Sequence, residues 1–305
     1  MKLIIFINSA GPNVSYENLF DTISSISSKC GIEDYGFYFV AENETIANMI
    51  NEIFLVCNIQ NKLLELKISN DSWAKNFNLF FNLYKEKTEY IIYSHDDLYI
   101  KTDNFFIKAL KEIDGIDEEL GWITFTSDAY YRNYGLGITN SVREGFSLDR
   151  GGYPGIFECH SMKNGDNLDA LDMPPSTVKC HAPFPHFVMI SSKTLEKVGP
   201  CSDWSNYTLL IDEDWGLEAL KKNLVNIWIP DIVYTHPLRK DSRKEMGVRY
   251  QNEVHAKFKE KWGWNFDIGG YSDSFVEEIC EKFKDTNIPL TKGKNSFDWQ
   301  YPRRK

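Results

Sequence analysis

Tyr90-Ile91-Ile92-Tyr93-Ser94-His95-Asp96-Asp97 is the stretch that decides the fold. Its apolar run reads as a buried strand, and a polar cluster follows directly at the strand's exit. Upstream, the same alternation of elements is laid down repeatedly. Leu3 to Ile7 predicts a first strand, Gly11-Pro12-Asn13 a turn, and Leu19, Ile23 and Ile26 fall at helical spacing behind Ser15, a suitable N-cap. Tyr35 to Val40 predicts a second strand ending in Ala41-Glu42-Asn43, and Leu63 to Ile68 a third. Asp71 to Lys85 then predicts a helix bearing Trp73, Phe77, Phe80, Phe81 and Tyr84. Strands alternating with helices at this spacing imply crossover units and a parallel sheet, whose ligands gather at the carboxyl ends of the strands. Asp96 and Asp97 lie at such an end.

Downstream, Gly121 to Phe125 is another strand candidate, after which the pattern dissolves from Ser127 to about Pro185 into a stretch rich in Gly, Asp, Asn, Tyr and Pro. A loop of that length in a compact domain is usually functional or mobile. Regular structure resumes with a strand at His186 to Ile190 and a helix ending near Val198-Gly199-Pro200. A helix from Asp212 to Asn223 and a strand from Val225 to Ile229 follow, then an amphipathic segment from Asn252 to Trp262 and a helix candidate at Phe275 to Phe283. Ile211-Asp212-Glu213-Asp214-Trp215-Gly216 opens the first of these, and Ile232-Val233-Tyr234-Thr235-His236-Pro237 puts a histidine at the end of another apolar run. Three polar clusters, each at an element's end, can converge on one site.

Composition narrows the chemistry. The chain has 305 residues, 42% of them hydrophobic, with 20 Phe, 16 Tyr and 8 Trp, enough for a sheet core with rings left over for a groove. A net charge of −10 repels nucleic acid, so an anionic ligand must be held by a local basic patch or a metal ion. The apolar start at Met1 to Ile7 is too short for a signal-peptide core, and no stretch is long enough to span a bilayer, so a cytoplasmic protein is expected, with peripheral membrane contact compatible. Six cysteines are scattered without a framework, which fits reduced thiols. Cys159-His160 and Cys180-His181 match no compact zinc finger.

Divalent cations such as Mn²⁺ or Mg²⁺ prefer carboxylate oxygens and leave positions open for phosphate oxygens, a role that Asp97 at a strand end can fill. An isolated Asp-Asp pair otherwise reads as a solvated turn. The order of the pieces decides between them. Pro12-Asn13 with its helix, Ala74-Lys75-Asn76, the His95-Asp96-Asp97 strand, Phe187 to Gly199, Glu213-Asp214-Trp215 and Trp228 to His236 together resemble the GT-A glycosyltransferases. The likeness is to the large inverting family that includes cellulose, hyaluronan and many O-antigen and capsule transferases. It implies an α/β, Rossmann-like fold with a mixed, mostly parallel central sheet flanked by helices. The GT-A domain would cover residues 1–265, as a nucleotide-binding half (1–126), a loop-rich acceptor-side insertion (127–185) and a catalytic half (186–265). Residues 266–305 would form a helical extension and tail.

The resemblance also implies roles. The family's metal-binding Asp-x-Asp falls on His95-Asp96-Asp97, with Asp97 as the principal acid, His95 in place of the first Asp, and Asp96 competing for the role beside the nucleotide. His236 matches a histidine that ligates the metal or touches the diphosphate. Asp214 lands on the catalytic base, where a carboxylate takes a proton from the acceptor hydroxyl as it attacks the anomeric carbon. Glu213, Trp215 and Tyr153 fall on the acceptor side. Glu42 sits where the family recognises the base and Asn76 in the donor half, while Arg239 and Lys240 are placed to clamp a diphosphate. The expected donor is a nucleotide sugar, foremost a UDP-sugar, and the acceptor a glycan, lipid-linked sugar or protein. Read without the resemblance, Asp212, Glu213 and Asp214 are a first-turn cluster favoured by the helix dipole. The rings Tyr130, Tyr131, Tyr134, Phe146, Tyr153 and Phe157 serve equally to stack on sugars or to hold a long loop. Two other classes compete: a nucleotidyltransferase, for which Asn8 to Asn13 lacks the basic residue of a phosphate loop, and a catalytically silent glycan-binding protein of the same fold.

Overall fold

The computed structural model of the chain describes residues 1–11, 14–127, 177–180, 183, 186–204, 211–236 and 243–262. The Phe275 to Phe283 helix, the Cys159-His160 pair and the ring-rich part of the insertion lie outside them. Strand β1 (Leu3–Ser9) leads into helix α1 (Tyr16–Lys29), β2 (Tyr35–Ala41), α2 (Glu44–Val56), β3 (Leu63–Ile68) and α3 (Trp73–Tyr84). Then come β4 (Tyr90–Ser94), a two-residue β5 (Tyr99–Ile100), α4 (Phe105–Ile113), β6 (Leu120–Ser127), β7 (Val178–Cys180), β8 (Phe187–Ser191), α5 (Ser192–Val198), α6 (Ile211–Lys221), β9 (Val225–Thr235) and α7 (Arg243–Trp262).

The strands form one nine-stranded sheet in the order β3-β2-β1-β4-β8-β6-β9-β5, with β7 pairing antiparallel to β9. From β3 to β4 every pairing is parallel, as crossover helices require, and β8 is inserted antiparallel between β4 and β6. The apolar runs are unbroken because both faces are covered. Side chains alternate across the sheet with period two. Leu3, Ile5, Ile7 and Ile92 join the core beneath α1, α2 and α4, whereas Ile4, Phe6, Ile91 and Tyr93 join the one beneath α3, with Trp73, Phe77 and Phe80. Among the described residues no helix is long and apolar enough to cross a membrane.

Local chemistry sets the boundaries. Ser15, Asn43 and Ser72 each accept a backbone N–H three residues on, capping α1, α2 and α3. Helices α2 and α4 extend the alternation beyond the helices named above; Ile46, Ala47, Ile50, Ile53 and Phe54 supply the buried stripe of α2. The two apolar runs at Val225 to Ile229 and Ile232 to Thr235 prove to be a single strand, β9. Its register against β6 jumps at Pro230, from Phe125↔Ile229 to Thr126↔Val233. Proline has no N–H for the ladder, so the break falls there. The Thr126 hydroxyl donates to the Pro230 carbonyl at 2.9 Å and accepts from the Trp228 indole at 3.0 Å.

Buried Asn226 on β9 holds α6 in place. Its Oδ1 accepts from the Trp122 backbone on β6 at 2.9 Å, and its Nδ2 donates to the Gly216 carbonyl on α6 at 3.1 Å. A Cβ at Gly121 would collide with that Oδ1, so only glycine lets the amide approach.

Candidate metal centre

Three strand ends meet beyond the carboxyl end of β4. Because β8 runs antiparallel to β4 with Ser94 opposite Phe187, the residue leaving β4 faces the residue entering β8. His95 therefore lies against His186, and its backbone N–H donates to the His186 carbonyl at 2.9 Å. Strand β9 pairs with β5 through Thr235↔Tyr99, which delivers His236 to the same place.

The three imidazoles are in contact. The His186 and His236 rings stack with centroids 3.7 Å apart at 23°, and His95 lies 4.5 Å from His186. His95 Nδ1 is 3.3 Å from His236 Nε2. Asp97 Oδ1 is 3.2 Å from His236 Nε2 and 3.9 Å from His95 Nδ1. One ligand atom from each histidine lies within 4.8 Å of the other two. Asp97, His186 and His236 are buried, and only His95 of the three histidines is partly open.

The donor set suits a divalent transition metal: neutral imidazoles with in-plane lone pairs and one carboxylate that balances half of the ion's charge. Four ligands about 2.05 Å from a tetrahedral ion stand about 3.3 Å apart, the scale of the separations seen here. The negative charge is felt nearby: burial, then the Asp96 carboxylate, pushes the Tyr93 hydroxyl well above its ordinary range.

Asp214 lies on α6 and is 1% exposed. Its Oδ1 accepts from Lys261 Nζ at 2.6 Å and from Trp262 Nε1 at 2.8 Å, both on the last turn of α7. Lys261 also reaches Glu218 at 2.8 Å and the Ser202 hydroxyl at 2.9 Å. Burial pushes the Asp214 carboxyl up while Lys261 pulls it down, and the net direction is up. Burial alone would lower Lys261, but the Asp214 charge outweighs it and the amine sits above its ordinary value.

The remaining expected residues divide. Glu42 Oε2 accepts from the Gly11 backbone at 2.7 Å, closing the turn after β1, where Gly11 has φ +98°. Asn76 is buried; its Nδ2 donates to Asn8 Oδ1 at 3.3 Å and to the Asp71 carbonyl at 3.1 Å, and its Oδ1 accepts from Lys67 at 3.3 Å. It thus knits the ends of β1 and β3 to the start of α3. Trp215, expected on the acceptor side, is 1% exposed and its ring stacks on Trp122 at 4.1 Å and 15°, inside the core. Glu213 falls in α6, but its side chain is outside the described residues, as are Tyr153, Arg239 and Lys240.

His186 is the residue that sequence reasoning missed. Its signal was symmetrical with that of His95: one precedes an apolar run and the other follows one. Only the antiparallel pairing of those runs makes them neighbours.

Solved structures share this fold at low identity. A crystal structure of GalNAc-T7 with UDP, GalNAc and Mn²⁺ matches with a TM-score of 0.58 at 10% identity, over 95% of this chain and 58% of that one. The mannosyltransferase PcManGT from Pyrobaculum calidifontis, in complex with GDP-Man and Mn²⁺, matches at 0.54 and 12% identity, over 85% and 64%. S. aureus TarS matches at 0.52 and 9% identity, over 93% and 43%. The chain spans less than two thirds of the length of each. No protein-family model and no curated protein matches the sequence. The fold implied by the resemblance is therefore the fold observed, that of the GT-A glycosyltransferases.

Proposed function

We propose that the chain is a metal-assisted glycosyltransferase that moves a sugar from a nucleoside diphosphate donor to a hydroxyl of a glycan, lipid-linked or protein acceptor, with inversion by single displacement. The observation that carries this reading is the meeting of Asp97 and the imidazoles of His95, His186 and His236 at the carboxyl end of β4. That position is the crevice in which open α/β sheets bind ligands. Solved structures of the fold were obtained with UDP or GDP-Man together with Mn²⁺.

Asp97, His95 and His236 would hold Mn²⁺ or a related divalent ion, which when bound neutralises charge on a leaving diphosphate. Burial of Asp97 and its close approach to two imidazoles fix the carboxylate in one orientation. Glu42 spends one oxygen on Gly11, and in this reading the other accepts from a uracil imide, favouring a UDP-sugar. Arg239 and Lys240 follow His236 in sequence and supply positive charge for the diphosphate.

Asp214 is the base in this reading. A carboxyl raised by burial accepts a proton more readily than an ordinary one, and general-base assistance of this kind contributes about 10²–10⁴-fold. Its Oδ1 is occupied by Lys261 and Trp262, so an acceptor hydroxyl would have to displace these donors or approach the other carboxylate oxygen. The same seal favours a second reading, a glycan-binding protein that keeps the fold without turnover.

Thermal unfolding with UDP, GDP, dTDP and CDP, each with and without Mn²⁺, separates the two. One nucleotide at about 100 times its Kd adds about 2.7 kcal/mol, or roughly 5 °C for a chain of this size. The transferase reading expects that shift to require Mn²⁺ and to vanish in Asp97→Ala. A flat panel in a protein that still binds glycan identifies the silent reading.

A further inference from the structure

We propose that His186 is itself a metal ligand, so that the centre presents three imidazole nitrogens and the Asp97 carboxylate and selects a divalent transition metal over Mg²⁺. This deepens the reading above and rests on its metal site.

The argument begins with spacing. Asp97 Oδ1, His95 Nδ1 and His236 Nε2 form a triangle with sides of 3.2, 3.3 and 3.9 Å. Tetrahedral ligands at zinc-like bond lengths stand about 3.3 Å apart. Neighbouring ligands of octahedral Mg²⁺ stand about 2.9 Å apart, and that ion takes oxygen ligands and keeps several waters. A triangle with two nitrogens at its corners fits the first geometry in both size and chemistry.

His186 completes it. Its ligand atom lies within 4.8 Å of those of His95 and His236, and its carbonyl is pinned by the His95 N–H, so only the side chain need move. The stack on His236, at 3.7 Å and 23°, keeps the two rings near parallel. Near-parallel imidazoles do not aim both lone pairs at one point, so ligation turns the His186 ring out of the stack. With it the set becomes three nitrogens and one oxygen. Imidazole suits Zn²⁺ and its neighbours, whereas Mg²⁺ is served by carboxylate, carbonyl and water. Affinity should therefore rise from Mg²⁺ through Mn²⁺ and Co²⁺ to Zn²⁺.

The test is a Co²⁺ titration of the chelator-stripped full chain, followed by the visible d–d absorption of the ion, with Mn²⁺, Zn²⁺ and Mg²⁺ as competitors. His186→Phe keeps a stacking ring and removes both nitrogens; His186→Gln serves if that variant does not fold, as judged by its thermal transition in chelator. The parent should bind Co²⁺ with a low-coordinate spectrum that Zn²⁺ abolishes and excess Mg²⁺ leaves intact. His186→Phe should lose more than the roughly 10–100-fold that removal of an outer partner costs, with a changed spectrum. Unchanged Co²⁺ affinity and spectrum in the variant, or displacement of Co²⁺ by equimolar Mg²⁺, overturns the proposal. The glycosyltransferase reading fails separately: Co²⁺ binding through His186 with no nucleotide response leaves the centre and removes the donor site. A nucleotide response equal in parent and His186→Phe does the reverse.

Discussion

Replacing Lys261 by Met isolates the seal over Asp214. In the native chain the carboxylate is 1% exposed and its Oδ1 takes two donors, Lys261 Nζ at 2.6 Å and Trp262 Nε1 at 2.8 Å. Methionine keeps most of the packing volume and removes the charge. Stranding a buried ionised partner costs about 3–5 kcal/mol, but the Lys261 side chain is 29% exposed, and solvent screening reduces the expected loss to about 1–3 kcal/mol. That corresponds to a fall in Tm of roughly 2–6 °C. The loss should also depend on pH. Burial already holds the Asp214 carboxyl above its ordinary value, and removing the lysine that pulls it down raises it further. An acid with a raised folded-state pKa stabilises the fold most when protonated and loses that contribution as pH climbs through the folded value. In Lys261→Met a proton substitutes for the missing cation, so the deficit against the parent shrinks on acidification. Lys261 carries a signature of the same sign at higher pH: its raised pKa contributes stability below its ordinary value of 10.5 that is lost as pH rises through the folded one, so it is constant between about pH 5 and about pH 7.5. Urea unfolding of both proteins near pH 7.5 and near pH 5 measures the difference directly. A deficit that is the same at both pH values, or below about 0.5 kcal/mol throughout, refutes the reasoning.

Two further substitutions separate chemistry from packing. Asp214→Asn retains an acceptor for Trp262 but removes the anion closest to Lys261, which keeps Glu218, so stability should fall by about 1–3 kcal/mol. Turnover should drop by about 10²–10⁴-fold with nucleotide-induced stabilisation intact; normal turnover moves the base elsewhere. Trp215→Ala removes a ring stacked on Trp122 and should cost about 3–5 kcal/mol in denaturant unfolding. A raised KM for acceptor without such a loss would return the ring to the acceptor side.

The parallel half of the sheet was legible because its strands, buried on both faces, print as uninterrupted apolar runs such as Leu3 to Ile7 and Tyr90 to Tyr93. Helix α3 was equally plain, its rings falling on one face from Trp73 to Tyr84. Helix α2 was harder to see, since its run Ile53-Phe54-Leu55-Val56 blurs the helical period by leaving Leu55 and Val56 exposed. The continuity of β9 was hidden by Pro230, which ordinarily ends a strand and here marks a register shift within one. Strand β5 is only two residues long, below the length at which any period can be read.

The site was legible in proportion to how much of it lies in one segment. His95, Asp96 and Asp97 are consecutive and sit at a strand exit, so their meeting needs no knowledge of tertiary pairing. His236 required the order of the strands, supplied by resemblance. His186 required their direction as well: β8 antiparallel to β4 brings its first residues beside the exit of β4, whereas a parallel β8 would have sent His186 to the opposite edge of the sheet. Direction is not written in an apolar run such as Phe187 to Ile190, which reads the same both ways. Asp214 shows the converse limit. Its place at the start of a helix was readable, but its burial comes from Lys261 and Trp262, 47 and 48 residues further on, through contacts that no local pattern encodes.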